Sequence, residues 1–231
     1  MADLPIDLSA QLGERLSRSL DVEGKIPRAL EALGPVAGRD VLLLDRTDGL
    51  RARQLRELGA RVFLAESESE GFGIPDGSAD VVVSFWSSFR DAAPAELAEA
   101  ERALRPRGRL LVVHDYGRDD VSHLRGDRPE YAAWSRRDGP FLSTGFKVRV
   151  VHCFWTFESM TDCGEFLAAA FAEPGRAVAA GLKRPRLSYN VAIYHRTFGE
   201  AEASEGAVPT APWTGDSAEA TSPAGSAKAA G

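Results

Sequence analysis

The sequence is poor in the features that would place it in several large classes of protein. Only two cysteines, Cys153 and Cys163, occur in 231 residues, which excludes a disulfide framework. Their spacing fits no thiolate metal site, and Cys153 falls in an apolar alternating stretch, so both read as core residues. No apolar run approaches the roughly 18 to 20 residues of a membrane span. The opening MADLPIDLSA carries acids where a secretory signal carries bases and has no apolar centre, so the expected location is the cytoplasm, without a membrane partner. Bases are in the minority overall: a formal net charge of −6 argues against a dedicated nucleic-acid partner. There is no GxSxG elbow, no GxxxxGK(S/T) phosphate loop and no intact GxGxxG, which leaves hydrolase, phosphate-loop and dinucleotide readings without a motif. His152 and His195 lie in strand-like stretches, and no histidine pair has zinc spacing with carboxylates, so no metal site is expected.

What the sequence does contain is alternation of buried-strand and helical patterns, centred on VLLLDRTDGLRARQLRELGARVFLAE, residues 41–66. Val41 to Leu44 form a short apolar run between polar flanks, as expected of a strand covered on both faces of a parallel sheet. Asp45 to Gly49 make a polar turn. Ala52, Leu55 and Leu58 then fall on one helical face with arginines opposite, and Gly59 stands where a helix takes a left-handed terminus. Val62 to Ala65 form the next strand, with Glu66 at its carboxyl end. In such a unit a nucleotide-like ligand lies beyond the strand ends, so Asp45–Gly49 and Glu66 are the first candidates for function.

The flanking chain fits around this unit. Leu8, Leu12, Leu16 and Leu20 recur every four residues and predict an amphipathic packing helix over the N-terminal 1–21. A second helix ends at Leu33 before Gly34-Pro35, with Pro27 in its first turn. Asp80 to Phe85 read as a strand, Asp91 and Pro94 as the start of a helix carrying Leu97, Ala100 and Leu104, and Leu110 to Val113 as the next strand. His114, Asp115 and Tyr116 end that strand as an acid/base cluster on the same edge as Glu66 and Trp86. They are candidates for catalysis, set against the simpler reading of polar residues reaching water. Residues 117–145 are rich in Arg and Asp and are assigned as a covering loop with a helical piece near 129–135. Phe146 to Phe157 and Leu187 to Arg196 alternate as two antiparallel strands. Between them lies a helix from Ser159 that is expected to give way near Pro174-Gly175. From residue 200 to 231 the chain holds five acids against one Lys and few large apolar residues, the composition of a disordered tail in which Trp213 is an isolated aromatic.

Three segments carry a resemblance. GRDVLLLDRTDGLRARQLRELGARVFLAE resembles the first strand-helix-strand unit of class I S-adenosylmethionine-dependent methyltransferases. IPDGSADVVVSFWSSFRD is similar to their fourth-strand segment, and LAEAERALRPRGRLLVVHDY to their next helix, turn and fifth strand. The likeness spans about residues 22–198. It implies an α/β, doubly wound, mostly parallel, Rossmann-like sheet with an antiparallel C-terminal hairpin and the N-terminal helices added, in a methyltransferase-like domain over 22–199. It implies S-adenosylmethionine as cofactor, with Glu66 holding the ribose hydroxyls, Phe85 and Trp86 beside the adenine, and Asp45, Thr47 and Gly49 in the cofactor turn.

Two departures from the family pattern bear on function. Laid on the family's VLDLGCGTG, this chain has Leu43 at the acidic position, Asp45 and Thr47 at the first two glycines, and Gly49 at the last. Both replacements bring a Cβ where the backbone should approach the cofactor, and Asp45 adds a negative charge near the methionine carboxylate. The link from Glu66 to Pro75 is too short for a helix and another buried strand, so the sheet is expected to lack one edge strand. The sequence therefore supports either methyl transfer to a small-molecule acceptor or a methyltransferase-fold binding or scaffold protein that has lost the cofactor. It names no acceptor and no oligomeric state.

Overall fold

A computed structural model describes residues 4–44, 48–65 and 71–199. The sequence candidates Asp45, Thr47, Glu66 and Trp213, and the whole 200–231 tail, lie outside the described residues.

Two helices precede the sheet. In α1 (Ala10–Ser19) the Ser9 hydroxyl accepts from the Leu12 amide, and Leu16 and Ser19 are buried. In α2 (Lys25–Leu33) the first turn carries Pro27, and the Asp21 carboxylate accepts from the amides of Lys25 and Ile26 at 2.9 and 2.7 Å, taking the donors that a helix start leaves free. Then follow β1 (Asp40–Leu43), α3 (Leu50–Glu57), β2 (Arg61–Leu64), β3 (Ala79–Phe85), α4 (Pro94–Ala103) and β4 (Leu104–Asp115). Two short helices, α5 (Asp120–Leu124) and α6 (Pro129–Trp134), and a 3-10 turn (Leu142–Thr144) lead to β5 (Lys147–Thr156), α7 (Met160–Gly181) and β6 (Arg186–Thr197).

The six strands lie in the order β2-β1-β3-β4-β6-β5. β2, β1, β3 and β4 are parallel, and β6 runs antiparallel between β4 and β5. This is the doubly wound, methyltransferase-type Rossmann-like sheet with an antiparallel end, and among the described residues it ends at β2, one strand short of seven. The apolar runs build it directly. Val41, Leu43, Val81, Val83, Leu111 and Val113 face one layer with α1, α2, α3 and α7. Leu42, Val82, Leu110 and Val112 face the other, with α4, α6 and Phe141.

Three details differ from the expectations. Leu104 belongs to the strand, not to the helix, because β4 begins there, paired with Ala79 across a bulge. The Arg105 guanidinium bridges Asp40 and Asp80 at 2.8 and 2.9 Å and holds this polar start extended. The helix after Ser159 does not stop at Pro174-Gly175. It breaks at Ala172 (φ 52°) and resumes to Gly181. Gly175 lets the second piece seat on the first, since a Cβ there would fall on the Leu167 carbonyl. Finally, Arg51 does not lie on a solvated helix face: it is wholly buried.

Candidate functional site

Parallel strands β1 and β3 leave the switch point of the sheet between them, and their carboxyl ends are held in register by Leu44 N–H to Val83 O (2.9 Å), Ala65 N–H to Leu43 O (3.0 Å) and Trp86 N–H to Val113 O (2.8 Å). After β1 the next helix is α3, whose N-cap is Gly49. Gly49 has φ −101°, so its glycine is not called for by a left-handed backbone. Gly49 brings no side chain to cap α3, and the first-turn amides carry the positive end of the helix dipole.

The first turn of α3 carries a feature the sequence did not reveal. The Arg51 guanidinium packs over the rings of Phe85 (5.2 Å) and Trp86 (5.1 Å) and donates to Gln54 Oε1 at 2.8 Å. Phe85 and Trp86 are themselves only 2% and 6% exposed. Both aromatic candidates therefore sit in the core beneath a cation, and an adenine would have to displace Arg51 to stack on the covered faces. Burial raises the pKa of the Asp21 carboxyl, and the Ile26 and Lys25 amides and the nearby Arg51 charge offset that rise only in part. A buried arginine over aromatic rings has no periodic signature, because a hydrophobic-face count scores it as solvent-facing.

The loop from Trp86 to Ala92 turns tightly, with positive φ at Trp86, Phe89 and Ala92. The Ser88 amide donates to the Ser84 hydroxyl (3.1 Å) and the Phe89 amide to Glu96 (3.2 Å). His114 closes the loop from below, its Nε2 donating to Ser88 O at 3.1 Å. The imidazole lies against Trp134 and Phe141 and is almost wholly buried, which pushes its pKa down to about 3. His114 is thus a neutral packing residue with its tautomer fixed by a carbonyl, not a base facing the opening.

Asp115 is spoken for as well. Its carboxylate accepts from Arg125 at 2.8 Å and from the Tyr189 hydroxyl, and the second Arg125 nitrogen donates to the Pro5 carbonyl at 3.0 Å. The Tyr189 hydroxyl is pushed well above its ordinary pKa by burial and by the Asp115 charge. Tyr116 is half-buried, with its amide on Asn190 O and the Arg118 guanidinium over its ring. The three sequence neighbours therefore divide into a packed imidazole, a buried ion pair and a rim phenol.

These bonds bring the N-terminal segment across the carboxyl edge. Leu4 to Asp7, the loop residues Trp86, Ser87 and Arg90, and Leu124, Arg125, Arg128 and Phe171 enclose a cavity of about 680 Å³. That volume is within the usual range for small-molecule sites. Another hollow, of about 390 Å³, lies between α1 and the end of β5. Its Arg15 and Arg18 are already bonded to Asp162 and Glu14, so its charges are internally matched. Among the described residues no three His, Cys, Asp or Glu side chains cluster as metal ligands, and no helix is long and apolar enough to cross a membrane.

No family model and no curated protein matches the chain. Solved structures do. It is similar to a SAM-dependent methyltransferase from Aquifex aeolicus at 16% identity and a TM-score of 0.43, over 82% of this chain and 98% of that one. It is similar to a SAM-dependent methyltransferase from Geobacter sulfurreducens, in complex with S-adenosyl-L-homocysteine, at 16% identity and 0.42, over 84% and 99%. It is also similar to the YcgJ protein of Bacillus subtilis at 13% and 0.45, over 76% and 98%. At these values the likeness adds nothing to what the strand order establishes by itself.

Proposed function

We propose that this protein is an S-adenosylmethionine-dependent methyltransferase acting on a small molecule. The observation that carries the reading is the switch point between β1 and β3, with the roomy cavity beside Trp86 and Ser87 at the carboxyl end of β3. When bound, the cofactor supplies an electrophilic methyl group on a sulfonium. The residues of this chain would hold and align it: Gly49 and the first turn of α3 at the methionine end, and Glu66 at the ribose. The fit is supported by the start of α3, whose helix dipole favours a carboxylate beside Gly49. Transfer of this kind depends on alignment of nucleophile, methyl carbon and sulfur, so a buried, neutral His114 and an ion-paired Asp115 do not count against it.

One observation favours the second reading, a methyltransferase-fold binding or scaffold protein: the faces of Phe85 and Trp86 that an adenine would use are covered by Arg51. Isothermal titration with S-adenosylmethionine and S-adenosylhomocysteine separates the two. Binding of either at micromolar concentration supports the enzyme; no heat for either at high micromolar concentration removes it.

A further inference from the structure

The cavity at the carboxyl edge has a mixed lining. Leu4, Ile6, Leu124 and Phe171 give it an apolar body, while Arg90 and Arg128 give it two guanidinium groups. The third arginine of the wall, Arg125, is consumed by Asp115 and the Pro5 carbonyl. Arg90 is exposed and donates to Trp86 O at a long 3.3 Å, and Arg128 reaches Glu130 only at 3.7 Å. Neither cation is matched as Arg125 is. Asp7 lies on the rim of the same cavity. Trp86, which forms part of the wall, carries a buried indole N–H with no acceptor among the described residues. A buried donor without a partner costs free energy that an incoming acceptor would recover.

We infer that this cavity takes a small organic acid with an apolar body, its carboxylate between Arg90 and Arg128 and its body against Leu4, Ile6, Leu124 and Phe171. The inference deepens the methyltransferase reading and rests on it in one respect, that the bound acid is the methyl acceptor. The binding itself does not depend on the cofactor. The chemistry of the lining is selective in a specific way. An alcohol of the same length would fill the apolar part but leave the two cations facing water, while a short inorganic anion would meet the cations and leave the apolar wall bare.

The test compares sodium octanoate with 1-octanol on the full chain, by isothermal titration and Trp fluorescence, in the wild type and in Arg90→Gln, Arg128→Gln and the double variant. Circular dichroism and the thermal midpoint check that each variant is folded. Octanoate should bind at least about tenfold more tightly than octanol, and the double variant should lose that preference while keeping the weaker octanol affinity. Equal affinity for acid and alcohol in the wild type, which needs no variant to fold, would overturn the inference. So would a preference that survives in the double variant. Octanoate binding in a protein that gives no heat with S-adenosylmethionine upholds the pocket and removes the methyltransferase reading. Heat with S-adenosylmethionine but none with octanoate overturns the pocket and leaves that reading in place.

Discussion

Replacing Arg125 by Met tests how the N-terminal segment is held over the functional edge. Arg125 and Asp115 are 9% and 6% exposed at their side chains and meet at 2.8 Å. At an effective dielectric of about 20 the attraction at that distance is about 6 kcal/mol, much of it offset by the desolvation of both groups. The pair as a whole therefore contributes little net stability, but removing one member leaves the other charged and buried. The Met variant keeps the apolar length of the side chain, abandons Asp115 to the single bond from Tyr189, and frees the Pro5 carbonyl. A loss of about 3 to 5 kcal/mol follows, a large part of the roughly 5 to 15 kcal/mol available to a domain. Urea denaturation followed by circular dichroism would read this as a midpoint lowered by about 1 to 2 M. The double variant with Asp115→Asn should recover part of the loss, with a coupling of at least about 1 kcal/mol in the cycle, since no charge is then left unpaired. A single-variant loss below about 1 kcal/mol, or strictly additive effects, would refute the buried-pair reasoning.

Other expectations follow from the same structure. His114 is protonated in the folded chain only near pH 3, whereas the unfolded chain takes up the proton near 6.5. Stability should therefore fall as pH drops below about 6.5, with a slope approaching 1.4 kcal/mol per unit, and His114→Gln should flatten that slope; urea midpoints at pH 5, 6 and 7 that run parallel in the two proteins would contradict it. Gly175→Ala places a Cβ on the Leu167 carbonyl, so the two pieces of α7 must part; a loss of about 1 to 3 kcal/mol in thermal or urea unfolding is expected, and a neutral substitution would show that the pieces are not in contact there. If S-adenosylmethionine binds, Glu66→Ala should weaken it by about 1 to 3 kcal/mol in titration, and an unchanged affinity would place the ribose elsewhere.

The architecture was legible in the sequence for a simple reason: strands covered on both faces are written as unbroken apolar runs, as in Val41–Leu44, Val81–Val83 and Leu110–Val113. That the sheet ends at β2 among the described residues agrees with the chain length, because the segment after Glu66 is too short for a helix and a further strand. The site was far less legible. The Arg51 side chain folds inward over two rings at the end of β3, a contact that no local spacing announces. His114, Asp115 and Tyr116 looked like a cluster because they are adjacent in sequence. Successive strand residues point to opposite faces, so His114 went into the aromatic layer while Asp115 joined the opposite one. The cavity arginines come from the β3–α4 loop and from the turn after α5, and no local spacing connects them.

The position of β6 has a consequence for the order in which the molecule can be completed. Residues 109–115 of β4 pair with 191–197 of β6, and β5 touches the rest of the sheet only through β6. The strand that fills the gap is the last of the described strands to leave the ribosome. Until then β4 ends the sheet with a long row of open amides, and β5 has only the bridge between Leu20 and Trp155 and the Asp21 amide on Phe154 O for backbone pairing among the described residues. The nascent chain is thus most exposed to mispairing in the interval before Arg186–Thr197 is made, and a chain cut short before Arg186 loses two strands of the sheet.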